Sequence, residues 1–215
     1  MKKKSKLRES MLRAILLPVV VLGICIIICS VHQTKKSIYQ EVETGLENVA
    51  RMTIYLYEEA YPGEYSYDSV SKSLYKGKKK VDGASKYLEH YKEYSGTDVT
   101  IFYKDIRVIT TIKDKNGDPI VGTRINSIVK KEVYEGRQAH FYSKSTIENE
   151  NYFSYYCPLF DENDQCVGMV FAGKPSDYVD WIVWKSAVPI LLLILLSMII
   201  LIFVIWNYAD HLNRA

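Results

Sequence analysis

The residue best suited to bind a charged ligand is Arg107, in a segment of alternating side chains at 106–112. In an extended strand this alternation would place Arg107, Ile109 and Thr111 on one face. A guanidinium is a planar fork of N–H donors that matches a carboxylate, and Thr111 would add a hydroxyl. We therefore predict that Arg107 binds a carboxylate. An edge arginine paired with Asp105 or with water is the competing interpretation.

Other candidate ligand contacts come from a turn and from two later segments. Thr123 follows a glycine, which lets backbone approach a ligand closely. Tyr142 and Lys144 would share one face of a strand, and Tyr152 and Tyr156 one face of the next. A buried tyrosine offers a ring and a hydroxyl, but most of the 18 Tyr are expected in the core or at the surface, and an exposed strand lysine is common. The predicted ligand-binding set is Arg107, Thr111, Thr123, Tyr142, Lys144, Tyr152 and Tyr156.

Residues 35–185 contain no arrangement typical of catalysis or metal binding. His90 and His140 lie in unrelated segments, and neither a glycine-rich phosphate loop nor a His-Glu-x-x-His motif occurs. Cys157 and Cys166 show no zinc-like spacing with His140, and we expect two free thiols or a weak bridge. The lysines of 76–80 are interpreted as a solvated loop. We predict no catalytic residue, no metal, no cofactor and no nucleic-acid partner.

Two stretches without Asp, Glu, Lys or Arg interrupt an otherwise ordinary composition of 28 basic and 25 acidic residues. A bilayer core of about 30 Å requires about 20 apolar residues in a helix. We predict transmembrane helices at 14–34 and 186–208, separated by a domain at 35–185 that is long enough to have its own core. This organisation argues against a purely cytosolic protein, a polytopic transporter and a disordered chain, and the length of 215 residues leads us to expect no large multidomain enzyme.

Positive charge is concentrated at the N-terminus, where the first 13 residues contain six Lys or Arg and one Glu. Positive charge beside a first span keeps that end in the cytoplasm. We expect segments 1–13 and 209–215 to be cytoplasmic and 35–185 to be outside a bacterial plasma membrane. A cleaved signal peptide is the alternative for the N-terminus, but no small-x-small cleavage site is evident, which favours an uncleaved anchor.

The pattern between the spans predicts an α+β domain. Apolar residues recur every three or four positions at 38–56, which predicts a long helix that ends before Pro62. Short helices are predicted near 68–75 and 84–94, and another after Asn126 or Ser127. Strands with a period of two are predicted near 99–103, 106–112, 139–145, 150–159 and 166–173. The strands would form one five-stranded antiparallel sheet.

Four runs of sequence carry a resemblance to a known family. They read Gly-Thr-Asp-Val-Thr-Ile-Phe-Tyr-Lys-Asp-Ile-Arg-Val-Ile-Thr-Thr (96–111), Asp-Pro-Ile-Val-Gly-Thr (118–123), Tyr-Phe-Ser-Tyr-Tyr-Cys-Pro-Leu (152–159) and Val-Gly-Met-Val-Phe-Ala-Gly-Lys-Pro (167–175). Together with the order of elements, they resemble the single Cache sensor domain of bacterial methyl-accepting chemotaxis proteins and sensor kinases.

The resemblance implies a PAS-like five-stranded sheet with a small-molecule pocket near Arg107, and a homodimer through the helix at 35–60. It also implies a cytoplasmic signalling module after the second span, which we expect on a longer protein or on a partner. We therefore predict a non-enzymatic receptor sensor that binds a carboxylate or amino-acid-like ligand and signals through the second span, as in chemotaxis. The alternative is a membrane-tethered binding domain with no signalling output.

Overall fold

The structure is a computed structural model that describes residues 2–71, 73–81 and 85–212. The ends of the predicted cytoplasmic segments, residue 1 and residues 213–215, lie outside the described residues. The chain divides into two compact units. One contains Met1–Ile38 and Tyr178–Ala215, and the other is Tyr39–Asp177.

The first unit contains parts of two long helices, α1 (Lys2–Ala60) and α4 (Tyr178–Leu212). Both include stretches long and apolar enough to cross a membrane, with mean hydropathies of 3.0 and 3.4, and only 6% of each stretch is buried. Gly23 of α1 lets α4 come close, because an added Cβ would lie 3.0 Å from Cγ2 of Ile194. Two apolar helices thus flank the domain, as the sequence predicts.

The second unit is built on a five-stranded antiparallel sheet with the strand order β5-β4-β8-β7-β6. Its strands lie close to the predicted positions, which confirms the α+β fold class. The bounds are β4 (Asp98–Tyr103), β5 (Ile106–Thr110), β6 (His140–Ile147), β7 (Glu150–Phe160) and β8 (Cys166–Pro175).

Two helical segments accompany this sheet. The helix α2 (Ser85–Ser95) precedes β4 at the predicted place. The short helix α3 (Ser127–Val129) begins at Asn126, whose side chain caps it by accepting from the Val129 backbone N–H at 2.9 Å. It continues as a π-helix at Lys130–Glu135, so the predicted capping is confirmed.

The predicted helix near 68–75 is wrong. A second, three-stranded antiparallel sheet occupies this region, made of β1 (Tyr65–Asp68), β2 (Ser73–Lys76) and β3 (Lys79–Lys80). Lys76 is 3% exposed, and its ammonium donates to Glu58 at 2.7 Å. The long-range ion pair stabilises a short strand whose polar residues gave no strand signal.

The two faces of the five-stranded sheet have different partners. Phe153 of β7 contacts Tyr39 of α1, with ring centroids 5.3 Å apart. The opposite face carries a buried cluster in which Phe102, Tyr156 and Phe171 pack with Val133 of the π-helix. The segment after β5 therefore folds over the second face of the sheet.

Gly168 is the position where the sheet tolerates a side chain least. A Cβ added there would overlap the carbonyl oxygen of Phe102 on the neighbouring strand. Gly168→Ala should therefore lower the free energy of unfolding by about 2 kcal/mol. Gly45→Ala is the control, since its Cβ would meet open space on α1 and should stabilise the helix by about 0.5–1 kcal/mol. Calorimetry of the full chain in lipid nanodiscs measures both, and equal effects would contradict the close packing at Gly168.

Candidate functional site

A bulge between β4 and β5 decides the direction of the Arg107 side chain. Arg107 lies opposite Phe102, whereas Ile109 lies opposite Ile101, so Val108 is the extra residue on β5. Neighbouring residues of β4 face opposite sides, and Arg107 and Ile109 therefore do the same. The expectation that Arg107 shares a face with Ile109 is wrong, because the bulge shifts the alternation by one residue.

Arg107 is a buried cation. Its side chain lies on the face that carries the aromatic cluster, with the guanidinium carbon 5.3 Å from the centre of the Phe102 ring, and the residue is 7% exposed. One terminal nitrogen, Nη1, donates to the Thr123 hydroxyl at 2.7 Å, while Nε has no hydrogen-bond partner. Among the side chains that the structure describes, no carboxylate forms an ion pair with Arg107.

The segment that follows β5 holds Arg107 in place through its backbone. The Arg107 N–H donates to the Thr123 carbonyl at 2.9 Å, and the Gly122 N–H donates to the Arg107 carbonyl at 2.8 Å. The Thr123 hydroxyl donates in turn to the carbonyl of Ile120 at 3.1 Å, which leaves its lone pairs for the guanidinium. These bonds fix both the strand residue and the hydroxyl that orients its side chain.

The electrostatic setting of Arg107 is unfavourable for its own charge. Burial lowers the pKa of the guanidinium, and the nearby Tyr156 and Glu148 raise it in part. Arginine stays protonated even so, and a buried cation with an unsatisfied N–H costs free energy. An anion placed at Nε would offset this cost and complete the hydrogen bonding.

Tyr156 is the centre of the aromatic cluster beside Arg107. It is 3% exposed, and its ring centroid lies 5.1 Å from Phe171, 5.8 Å from Tyr142 and 6.4 Å from Phe102. Burial raises the pKa of Tyr156, whereas the charge of Arg107 lowers it, so the phenol is neutral at physiological pH. The face thus combines one cation with a cluster of aromatic rings packed edge-on or at a tilt.

Two other predicted residues, Thr111 and Tyr152, meet at a buried carboxylate, Asp98. Asp98 is 1% exposed and accepts hydrogen bonds from the Thr111 hydroxyl at 2.6 Å and from the Tyr152 hydroxyl at 3.1 Å. Lys92 of α2 completes the group, with its ammonium 2.6 Å from the carboxylate. The hydroxyl groups of Thr111 and Tyr152 therefore already donate their hydrogen bonds to Asp98.

Tyr142 and Lys144 do not share a face. The register of β6 shifts between Tyr142 and Ser145, so that Tyr142 lies opposite Ser154 and Ser145 lies opposite Tyr152. Ser154 and Tyr152 point to the same face, which turns Lys144 away from it and leaves it exposed. Tyr142 stays on the cluster face and donates to Glu132 of the π-helix at 2.5 Å.

The structure thus brings Arg107, Thr123, Tyr142 and Tyr156 together. Thr111 and Tyr152 form a second group around Asp98, and Lys144 belongs to neither group. The sequence reasoning missed Asp98, Lys92 and Ser154, whose buried Oγ has no hydrogen-bond partner. A strand-initial aspartate followed by apolar residues was the only signal for Asp98. Nothing in the sequence indicated Ser154, because its burial depends on the neighbouring strands.

Two cavities in this unit lie away from the predicted residues. An apolar groove of about 430 Å³ runs between α1 and α2, and a cleft of about 510 Å³ lies between α1, the residues before β6, and β7. None of the seven predicted residues lines either one. Cys157 lines the cleft, and both Cys157 and Cys166 are free thiols whose pKa values are raised by burial. The described residues contain no group of His, Cys, Asp and Glu that would hold a metal ion.

Comparisons with known proteins found a family match and a structural likeness. Residues 79–185 match the family model of single cache domain 3. Among solved structures, the chain is similar to the periplasmic domain of RsbU from Chlamydia trachomatis, with 11% identity and a TM-score of 0.40. The similarity covers 84% of this chain and 58% of that one, so the match spans less than two thirds of the length of the solved chain. None of the curated proteins compared with the chain matches it.

Proposed function

We propose that residues 35–185 form an extracellular sensor that binds a small anionic ligand at Arg107, in line with the match of residues 79–185 to the family model of single cache domain 3. Cache domains are typically extracellular ligand-sensing modules without catalytic activity. Two apolar helices flank the domain, in keeping with a membrane protein. The ligand is a carboxylate or an amino-acid-like compound, and binding signals through the second span, as in chemotaxis receptors.

The observation that carries this proposal is the buried Arg107 side chain, whose Nε has no partner. A fold gains no stability from such a group, and in the described residues no carboxylate neutralises it. The rings of Phe102 and Tyr156, which pack at a tilt, offer an apolar wall, and the Thr123 hydroxyl holds the guanidinium in one orientation. A carboxylate that accepts from the guanidinium fork would satisfy the cation and the orphaned N–H together.

The route of the signal follows from chain connectivity. Strand β8 supplies Met169 and Phe171 to the ligand-binding face, and only residues 176–177 separate β8 from α4. A ligand that repacks these side chains would move β8 and, through the chain, the second span. Displacements of about 1–2 Å are sufficient in known switches.

The proposal is tested by ligand-induced stabilisation of the full chain in lipid nanodiscs. The probes are sodium carboxylates from acetate to benzoate and a set of L-amino acids, each paired with its neutral amide. We expect at least one carboxylate to raise the melting temperature saturably while its amide does not. If no carboxylate stabilises the chain, or amides act equally, the anion site is wrong and a tethered binding domain becomes the better interpretation.

We extend the proposal to orientation and assembly: both termini are cytoplasmic, and α1 pairs with α1 of a second copy. On α1, Leu46 and Ala50 are buried in the domain, whereas Met52 and Leu56 are 57% and 56% exposed. These two exposed residues are four positions apart, so they form a stripe on one side of the helix.

Met52→Cys tests both points in a chain whose four native cysteines are replaced by Ala. In intact cells the new thiol should react with a membrane-impermeant maleimide, and on oxidation it should form a covalent dimer. Glu43→Cys is the control, since Glu43 is exposed and lies nine positions before Met52, on the opposite side of α1. Equal cross-linking of both variants would contradict the dimer, and lack of labelling would contradict the orientation.

A further inference from the structure

A cleft of about 510 Å³ lies outside the proposed site, between α1 and the β6–β7 side of the sheet. Arg51 and Tyr55 of α1 form one wall, and Arg137, Cys157 and Phe160 contribute to the other. Cys157 and Tyr156 are neighbours in β7 and therefore face opposite sides of the sheet. Phe160, four positions after Tyr156, faces the side opposite to Cys157, so the cleft lies at the edge of β7 beyond its pairing with β6, and none of the residues placed around Arg107 lines it.

The charges that line the cleft are predominantly positive. Arg51 donates from Nε to Glu47 at 2.7 Å, and Arg137 donates from Nη2 to the Asp164 carboxylate at 2.7 Å. Neither Glu47 nor Asp164 lines the cleft. The side chains of Arg51 and Arg137 are 59% and 49% exposed, so parts of both forks face solvent.

The single acidic residue of the lining does not cancel this charge. Glu58 accepts from the Tyr65 hydroxyl at 2.9 Å with one carboxylate oxygen and from the Lys76 ammonium at 2.7 Å with the other. Its charge is therefore matched by Lys76, whose side chain is 4% exposed. Arg51 uses only Nε and Arg137 only Nη2 in these ion pairs, so both guanidinium groups keep N–H donors for a further acceptor in the cleft, which favours an anionic occupant.

The rest of the lining is apolar and partly planar. The Arg137 guanidinium carbon lies 5.1 Å from the centre of the Phe160 ring, and Tyr55 is 59% exposed at the opposite wall. Burial raises the pKa of the Cys157 thiol, so the sulfur adds a neutral surface. These groups suit a flat hydrophobic body rather than a hydrated inorganic ion.

Arg137 is also held in an uncommon backbone conformation. Its φ is +56°, in the left-handed region that non-glycine residues rarely adopt. The side-chain contacts with Asp164 and Phe160 fix this conformation and aim the guanidinium along the cleft wall. Residues kept in costly backbone conformations by their surroundings are concentrated at binding sites.

We propose that this cleft is a second ligand site, which takes an amphipathic carboxylate with a planar apolar body. The carboxylate lies between Arg51 and Arg137, and the body packs against Phe160, Tyr55 and Cys157. The occupied cleft connects α1 to the strand that carries Tyr156 on its other face. The site is independent of the proposed function at Arg107.

The test is calorimetric titration of the full chain in lipid nanodiscs with sodium 2-naphthoate, with the neutral 2-naphthamide as the matched probe. Empty nanodiscs provide the correction for partition into lipid. We expect naphthoate to bind saturably and naphthamide not to bind. Arg51→Gln and Arg137→Gln should each weaken the affinity for naphthoate about 10-fold, since each removes a charge-assisted hydrogen bond. Arg124→Gln removes an exposed arginine paired with Asp105 and should leave the affinity unchanged.

The same titrations are repeated in a chain that carries Arg107→Met. In that chain the proposed site at Arg107 is removed, so any remaining naphthoate binding belongs to the cleft. Naphthoate should also slow alkylation of Cys157 by N-ethylmaleimide, as measured by mass spectrometry. Three outcomes would overturn the proposal. They are no saturable binding up to roughly 10 mM, equal binding of the amide, and unchanged affinity in both glutamine variants.

Discussion

Replacement of Arg107 by Met is expected to abolish the stabilisation of the chain by carboxylates while leaving its melting temperature unchanged or higher. The native side chain is buried, its Nε is unsatisfied and no described carboxylate pairs with it. Met has a similar length and no charge, so it removes the desolvation cost while preserving the packing against Phe102. The loss of a charge-assisted fork should weaken binding by at least about 100-fold.

The matched control for this substitution is Arg124→Met. Arg124 donates to both carboxylate oxygens of Asp105, at 2.9 and 2.7 Å, but its side chain is 67% exposed. We expect this variant to keep the full response to carboxylates. Arg107→Lys keeps the charge without the fork and should restore only part of the affinity. A chain that unfolds when Arg107 is replaced by Met, or that keeps its response, would contradict the ligand-binding role.

Replacement of Asp98 by Asn should cause the largest loss of stability, about 3 kcal/mol or more. The Asp98 carboxylate is 1% exposed and accepts from three donors, on Lys92, Thr111 and Tyr152. An amide would place an N–H₂ group against at least one of these donors and would leave the Lys92 ammonium without its counter-ion. Breaking a fully buried ion pair typically costs 3–5 kcal/mol, and because the Lys92 side chain is 38% exposed we expect a loss at the lower end of this range.

Calorimetry of the full chain in lipid nanodiscs measures this effect, with Asp164→Asn as the control. The Asp164 side chain is 82% exposed, and its ion pair with Arg137 should contribute less than about 1 kcal/mol. The double variant with Lys92→Met should recover part of the loss, because the unpaired ammonium is removed with its partner. Equal melting temperatures of the two asparagine variants would show that Asp98 does not hold α2 against the sheet.

The five-stranded sheet could be predicted because its strands are rich in β-branched and aromatic residues and are buried on both faces. Val99 and Ile101 are buried on one face, and Thr100 and Phe102 on the other, so hydrophobic and β-branched residues form a continuous run. The small sheet could not be predicted, because Lys76 reads as a surface residue until Glu58, 18 positions earlier, is known to be its partner. Long-range pairing of this kind leaves no local pattern.

The candidate site could be predicted only in part, and for a related reason. Arg107 and Tyr156 lie on the cluster face, but the faces of Ile109 and Lys144 depend on bulges in β5 and β6. A bulge shifts the alternation by one residue, and it is fixed by the hydrogen bonds of the neighbouring strand rather than by the residue itself. The buried position of Asp98 likewise depends on Lys92, which lies on a different element.

The central claim, that Arg107 is the cation that receives the ligand, is tested most directly by NMR of the Arg107 side chain. Full-length protein with ¹⁵N-labelled arginine is placed in lipid nanodiscs, and the Nε–H signal of Arg107 is assigned from its loss in Arg107→Lys. Addition of the carboxylate that stabilises the chain most should shift this signal saturably, because Nε gains an acceptor that it lacks in the described structure. A saturable response of the protein with an unchanged Arg107 Nε–H signal would contradict the account.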